Sequence, residues 1–405
     1  MNSFAIDAVR AAFPSLALTD DGKPRIYLDN PAGTQVPRTV AEAVARAMIE
    51  SNANLGGYFV TSRASERIVE TAHRAMATFL NARSYREIVI AQSMTNLTFH
   101  LSRCIGRTLQ RGDEIVVTRM DHDGNIAPWL ALAEDLGLTV RWVPFDFESW
   151  VIEPDAFSAA LSERTRLVAL NYASNLTGSV NDVKTLTQLA KQAGALVYVD
   201  AVQYAPHNCI DVQDLGCDFL TCSSYKFYGP HLGILWGREE LLAELYPYKA
   251  RPQTDEMPWR FETGTPQIEL QAALTATIAY FASLGGAQNK ITRDAIVDAF
   301  DATAEWERTL AVQLVRGLQS LPDVTIYGIT DESVFDRRVP TVSFRHATRT
   351  PPDIAAALAE ENIFVWSGNN FALEVVRAIG ADETEGVVRI GMAHYNTPAE
   401  IDMAL

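Results

Sequence analysis

Apolar residues along this chain repeat with two spacings, and the alternation between them lays out the fold. Short runs rich in β-branched and aromatic residues read as buried strands at Ile88 to Ala91, Glu114 to Thr118, Thr139 to Val143, Leu167 to Leu170, Leu196 to Val199 and Asp218 to Cys222. Between them, helical spacing appears at Val40 to Glu50, Ser62 to Leu80, Trp129 to Gly137 and Val183 to Ala193. The second of these carries Ile68, Val69, Ala72, Ala75, Met76, Phe79 and Leu80 on one side, and the last ends at Gly194, a C-cap signal. A run of strand and helix units in this order predicts an α/β fold with a large, mainly parallel sheet sandwiched by helices. Beyond the long helix at Ile268 to Leu284 the pattern changes. A helix at Ile291 to Leu318, strands at Val324 to Tyr327 and Val339 to Phe344, a helix at Pro352 to Glu360 and a strand at Val387 to Ile390 predict a smaller α+β unit. The chain is thereby expected to divide into an N-terminal segment (1–25) packing on the small domain, a large domain (26–268) and a small C-terminal domain (269–405). The N-terminal segment is a short helix, Ile6 to Phe13, stopped by Pro14 and followed by a polar linker, while Glu239 to Arg260 reads as a charged surface excursion.

Composition narrows the function classes. The chain has 405 residues, 48% hydrophobic and 21% charged, which suits a globular protein with a large core. Its formal charge of −16 makes nucleic acid or an anionic membrane surface an unexpected partner. Cys104, Cys209, Cys217 and Cys222 are too few for a disulfide scaffold and offer no CxxC pair for a metal, so they read as reduced, mostly buried thiols. No basic start precedes an apolar core, and no stretch reaches the roughly 18 apolar residues of a membrane span. The expected location is cytoplasmic.

Candidate chemistry begins where two strands end. One delivers Asp200, the other Ser223, Ser224, Tyr225 and Lys226. In an open α/β sheet ligands bind beyond the carboxyl ends of the strands, so both groups would face one site. A lysine after a strand and an aspartate at a strand end each have an ordinary surface use. The aromatic turn Phe227-Tyr228-Gly229-Pro230 changes that balance, because it would wall the amine off from water and lower its pKa. A carboxylate and a desolvated lysine are what pyridoxal 5′-phosphate (PLP) chemistry uses, the lysine as Schiff-base partner and the acid on the pyridine nitrogen. Gln92-Ser93-Met94-Thr95-Asn96 opens a helix after a strand, which suits either a phosphate or simple N-capping.

The residues also resemble a known family. DAVQ at 200–203, SSYKFYGP at 223–230 and FETGTP at 261–266, between YLDNPAG at 27–33 and RIGMAHYNT at 389–397, are similar to the class V aminotransferases of PLP fold type I. That group includes cysteine desulfurases, kynureninase and isopenicillin N epimerase, and the closest likeness is to its cysteine desulfurase-like branch. The resemblance implies the fold type I architecture and PLP as cofactor, linked to Lys226, with Asp200 on the ring nitrogen and His122 stacked on the ring. It implies Asn175 and Gln203 at the phenolic oxygen, and Ser93, Met94 and Ser223 at the phosphate, with Thr265 reaching across from a partner subunit. Arg389 would clamp the α-carboxylate of an amino-acid substrate, with Asn30, Asn370 and Phe371 beside it. The loop NANLGGYFVTSR at 52–63 would serve the partner's site, implying a homodimer. No metal is implied.

Two departures bear on the reaction. Phe371 stands where desulfurases carry the cysteine that accepts sulfur, and Trp366 stands where a second arginine is often found. The expected activity is therefore a desulfurase-like lyase, eliminating a sulfur or other β-substituent without a persulfide cysteine. Transamination and epimerisation are the alternatives, and a catalytically silent scaffold is the non-enzyme one.

Overall fold

The computed structural model describes residues 4–287 and 290–405, so the expectations for residues 1–3 and 288–289 lie outside the described residues. Its centre is a seven-stranded sheet in the order Ile88–Ala91, Gly233–Gly237, Phe219–Ser223, Leu196–Asp200, Thr165–Asn171, Glu114–Thr118, Thr139–Val143. Gly233–Gly237 runs antiparallel to both its neighbours, and the remaining pairings are parallel. Most central strands are buried along their whole length, which is why they read as unbroken apolar runs rather than alternating ones. Gly233–Gly237 lacked that signature because it begins and ends in glycine. A Cβ on Gly233 would lie 2.1 Å from the carbonyl carbon of Ser93, so only glycine lets this strand pass under the start of the next helix.

The helix Ile268–Leu284 is apolar on all sides and lies against Arg38–Glu50, Val60–Leu80 and Arg293–Ser320. A second, four-stranded antiparallel sheet follows in the order Val324–Tyr327, Thr341–His346, Val387–Gly391, Trp366–Gly368. In it Arg389 sits opposite Ser343 on one side and Trp366 on the other.

Three segments depart from the sequence expectations. The expected polar linker holds a small hairpin, Thr19–Asp20 with Lys23–Pro24, turned by Asp21 and Gly22 at φ +50° and +81°. An Asp-Gly pair is a strong hairpin signal that lacked apolar flanks here. The N-terminal segment packs on both parts of the chain, since Phe13 meets Tyr228 and Tyr280 as well as Tyr395, while Arg10 pairs with Glu400. Finally, the 239–260 excursion returns to the core through Leu242, Leu245 and Met257, its charges lying on the outer side of the helix Glu239–Glu244.

The strand Ile26–Tyr27 pairs in parallel with Ile363–Phe364, bringing the start of the chain to the second sheet. This pairing places Asp29 beside Gly391 and brings the turn that follows it over the end of the large sheet.

Candidate active site

At the carboxyl end of the large sheet, Asn171, Asp200 and Thr221 lie side by side in register. Asn171 and Asp200 floor a small inner cavity of about 70 Å³, lined by Ser93, Met94, Thr95, His122, Asn175, Gln203, Ser223 and Lys226 among others. An outer cleft of about 470 Å³ shares Thr95, His122, Asn175, Tyr225 and Lys226 with it and adds Ala32, Trp366, Asn370, Phe371 and Arg389.

Lys226 ends a 3₁₀ turn, Ser224–Lys226, and is half-buried. Its Nζ donates to the carbonyl oxygens of Pro31 and Ala32, the second at 3.1 Å, and lies 5.0 Å from the Tyr225 ring centroid. Phe227 and Tyr228 behind it are fully buried, and the Tyr228 hydroxyl and His394 Nδ1 lie 2.8 Å apart. Burial, seconded by the charge of Arg389, pushes the Lys226 amine down to about 7, although Asp29 and Asp200 work the other way. Burial likewise raises Asp200 to about 6, against the N–H that Val202 donates to it at 2.8 Å and the charge of Lys226.

His122 Nδ1 accepts the Gly124 N–H at 2.9 Å, so a neutral ring carries its proton on Nε2. The ring is neutral, because burial and then the charges of Lys226 and Arg389 push it down to about 3. Phe371 stacks on it, with centroids 5.4 Å apart and planes 20° apart. The loop that presents Phe371 is pinned at several points: Asp123 N donates to Phe371 O at 2.6 Å, Asn175 Nδ2 to Asn370 O at 2.7 Å, and Phe371 N to Asn369 Oδ1 at 3.0 Å.

Arg389 is buried in the second sheet. Its Nη1 donates to Asn175 O at 3.2 Å and its Nη2 to Asp29 Oδ1 at 3.3 Å, while Nε has no partner among the described residues. Burial lowers its pKa first, and Asp29 opposes that. A buried guanidinium with a free N–H is ready to take a carboxylate.

The residues fit a pyridoxal phosphate. Asn175 and Gln203 line the inner cavity, and their Oδ1 and Oε1 are buried and, among the described residues, without partners, a state costing about 1–3 kcal/mol per group that a polar ligand lifts. Gln203 is steadied by its Nε2, which donates to Thr341 Oγ1 at 3.0 Å. At the opposite wall the helix Met94–Gly106 begins. Ser93 Oγ caps the Asn96 N–H at 3.2 Å, leaving the N–H groups of Met94 and Thr95 free for an anion.

One residue expected in this cleft, Asn30, lies elsewhere, and Thr265, expected to serve a partner subunit, stands apart from it. Asn30 Nδ2 donates to Gly391 O at 2.8 Å and Asn396 Oδ1 at 3.1 Å, and its Oδ1 accepts the Tyr395 hydroxyl, so the side chain braces the 391–396 segment instead of lining the cleft. Thr265 lines a separate cleft with Gln92, Asn96 and His100, behind the helix Met94–Gly106. Conversely, Thr95 and Tyr225, which the sequence brought near the site without a role, and Asn171, line the inner cavity, and Asp29 backs Arg389. Asn171 closes its strand, the same signal that marked Asp200, whereas Asp29 lies two residues past the strand Ile26–Tyr27, in an isolated bridge to Gly391.

Among the described residues no helix is long and apolar enough to cross a membrane, and no group of three or more His, Cys, Asp or Glu is placed to hold a metal. The sequence model of the family described as aminotransferase class-V matches residues 26–404. The chain is similar to the aminotransferase-like protein FGM3 of Gibberella zeae, 36% identical over 415 residues that span 100% of this chain and 98% of that protein. It is similar also to a cysteine desulfurase of Pectobacterium carotovorum subsp. carotovorum, 32% identical over 99% of this chain and 96% of that one. In three dimensions it is similar to the apo cysteine desulfurase of Thermococcus onnurineus NA1, with a TM-score of 0.86 and 29% identity over 98% of this chain and 95% of that one. With a match this long and strand ends arranged in this way, the chain belongs to the class V aminotransferases and is a pyridoxal phosphate-dependent enzyme of fold type I.

Proposed function

We propose that the enzyme is a lyase that acts at Cα and Cβ of an amino acid and releases a β-substituent, sulfur or another leaving group, without passing it to a cysteine of its own. The observation that carries this reading is the roof of the cleft. There Phe371 stacks on His122, and among the described residues no cysteine lines the inner cavity or the outer cleft. Cys104, Cys217 and Cys222 are buried and Cys209 is half-buried. Burial holds all four as neutral thiols, Cys104 at about 11 and Cys217 at about 12, and a neutral thiol is a poor sulfur acceptor.

Bound PLP supplies the electron sink that lets bonds at the substrate's Cα and Cβ break. In this reading Lys226 holds the cofactor, Asp200 pairs with its ring nitrogen and the neutral ring of His122 lies on its face. Gln203 and Asn175 serve its phenolic oxygen, and Ser93, Met94 and Ser223 its phosphate, with Thr265 contributed across a homodimer. An exposed apolar stretch supports that dimer: Tyr58, Phe59 and Val60 are 93%, 58% and 77% exposed in the single chain. Arg389 takes the substrate α-carboxylate through its free Nε. Asn370 and Phe371 close over the side chain. Once the substrate's amino group has taken its place on the cofactor, Lys226 Nζ is a free amine and would take the α-proton, while the leaving group departs from Cβ with the bonding electrons.

The test is a panel of amino acids carrying β-substituents, incubated with the purified holoenzyme and no added acceptor. Equal amounts of keto acid, ammonia and released substituent are expected, with no sulfur left on the protein. Transfer of the amino group to an added keto acid without ammonia, or loss of optical activity alone, would overturn the assignment.

A further inference from the structure

His73 projects from the helix Val60–Leu80 and is completely buried. Its Nδ1 lies 2.7 Å from the Val69 carbonyl oxygen, which only accepts, so Nδ1 carries a proton. Its Nε2 lies 2.6 Å from Glu262 Oε1, an oxygen that also accepts the Ile90 N–H at 2.7 Å. With Nδ1 carrying one proton, a contact this short between Nε2 and a carboxyl oxygen needs a second proton between them, which makes the pair a charge-assisted hydrogen bond.

Glu262 thus ties its own segment to the helix through His73 and to the edge strand of the large sheet through Ile90. Trp259 packs edge-on against the His73 ring, with centroids 4.8 Å apart. Gln253 Nε2 donates to Trp259 O at 2.6 Å and to Glu262 O at 2.8 Å. All of this holds the base of a turn whose tip, Thr263-Gly264-Thr265, is exposed and, among the described residues, has no hydrogen bond of its own. Gly264 there has φ +84°, which suits a tight reversal. Such a tip is aimed by its base.

We propose that His73 and Glu262 form a clasp that positions the turn carrying Thr265 for the phosphate of a cofactor bound by a second copy of this chain. The clasp rests on the reading that Thr265 serves the cofactor across a homodimer. Neither clasp residue touches the cofactor, so both are positioning residues. Glu262 is the charged group facing the imidazole; the Val69 carbonyl and the Trp259 indole are its uncharged neighbours. Burial opposes the charged ring, but the charge and hydrogen bond of Glu262 outweigh it and raise His73 above the ordinary histidine range. A raised base keeps its pair intact at low pH and loses it as pH climbs through that raised value.

The test measures PLP affinity of the dimer by absorbance titration between mildly acidic and alkaline pH, in wild type, Thr265→Ala, His73→Gln, Glu262→Gln and His73→Arg. Thr265→Ala should weaken PLP about tenfold, the worth of a charge-assisted hydrogen bond. His73→Gln and Glu262→Gln should weaken it by a similar factor at mildly acidic pH, and the deficit should close where wild type itself declines. His73→Arg, whose charge does not titrate, should keep the wild-type affinity at low pH and hold it where wild type declines. Any pH dependence shared by wild type and His73→Arg belongs to Lys226. A loss in Thr265→Ala with none in His73→Gln and Glu262→Gln overturns the clasp alone. No loss in Thr265→Ala overturns the dimer reading and the clasp with it. Should the glutamine variants fail to fold, superimposable pH profiles for wild type and His73→Arg overturn the clasp.

Discussion

The floor and the roof of the cleft are built differently. Asp200 and Lys226 rise from adjacent strands of the large sheet, one at the last residue of Leu196–Asp200, the other just past Phe219–Ser223. The Asp200 backbone is held by sheet hydrogen bonds, Lys226 closes the 3₁₀ turn that follows its strand directly, and the strands beneath them are buried almost throughout. The roof from Trp366 to Phe371 has a three-residue strand, then Gly368 at φ +129°, Asn370 at φ +53° and Phe371 at φ +57°. Its two large rings, Trp366 and Phe371, are 54% and 68% exposed. Left-handed backbone at a phenylalanine costs of order 1–3 kcal/mol and persists only where neighbours over-determine it, as the bonds from Asp123 and Asn175 do here. A sheet-borne floor cannot change without disturbing the core, whereas a loop held at a few points can. In the proposed function the cofactor is tied to the first and the choice of reaction to the second.

The contrast can be broken most forcefully at the floor. Lys226→Ala should cut turnover by at least about 10⁴-fold and abolish the borohydride-reducible chromophore. A variant that retained either would remove the lysine from its role. A smaller effect follows from the amine pKa of about 7. Only the unprotonated amine reacts with the cofactor aldehyde, so the rate at which apoprotein turns yellow should rise as pH climbs through about 7 and level off above it. A rate still climbing in proportion to hydroxide at pH 9 would show an amine near its ordinary value. The smallest global effect belongs to the roof. Phe371→Ala should leave the cofactor bound and move the melting temperature by no more than about 2 °C, as expected of an exposed side chain. It should nevertheless shift relative kcat/KM among substrates of different side-chain size by roughly tenfold or more. If stability fell sharply while selectivity held, floor and roof would not be separable.

The same contrast explains what the sequence shows. Asp200, Lys226 and Ser223 were legible because buried parallel strands read as apolar runs and their ends are where ligands bind. Asn171 sits at an equivalent strand end, but Asp29, past a two-residue strand outside the large sheet, acquires meaning only from Arg389, 360 residues away. No periodicity carries that pairing. Asn30 looked like a site residue because its turn belongs to the site, yet its amide is spent on Gly391 and Asn396, contacts visible only in three dimensions. The 239–260 segment read as surface because charge dominates its composition, while the few apolar residues that anchor it are widely spaced. His73 was counted out of the apolar stripe of its helix, although it is as buried as the Ala72 beside it.

The pairing of Ile26–Tyr27 with Ile363–Phe364, followed by the contact of Asp29 with Arg389, also sets a clock. On the ribosome the early strand emerges first, and its partner and then the arginine follow as translation nears the end of this sequence. At about 5–20 residues per second the wait for Arg389 is roughly 20 to 70 s. Through that interval the parallel layer of the large sheet can assemble and Lys226 can already stand beyond its strand, while Pro31 and Ala32, the carbonyls that receive its amine, lack the strand that seats them. The turn that receives the Lys226 amine is therefore completed by a segment made well over a hundred residues after the lysine itself.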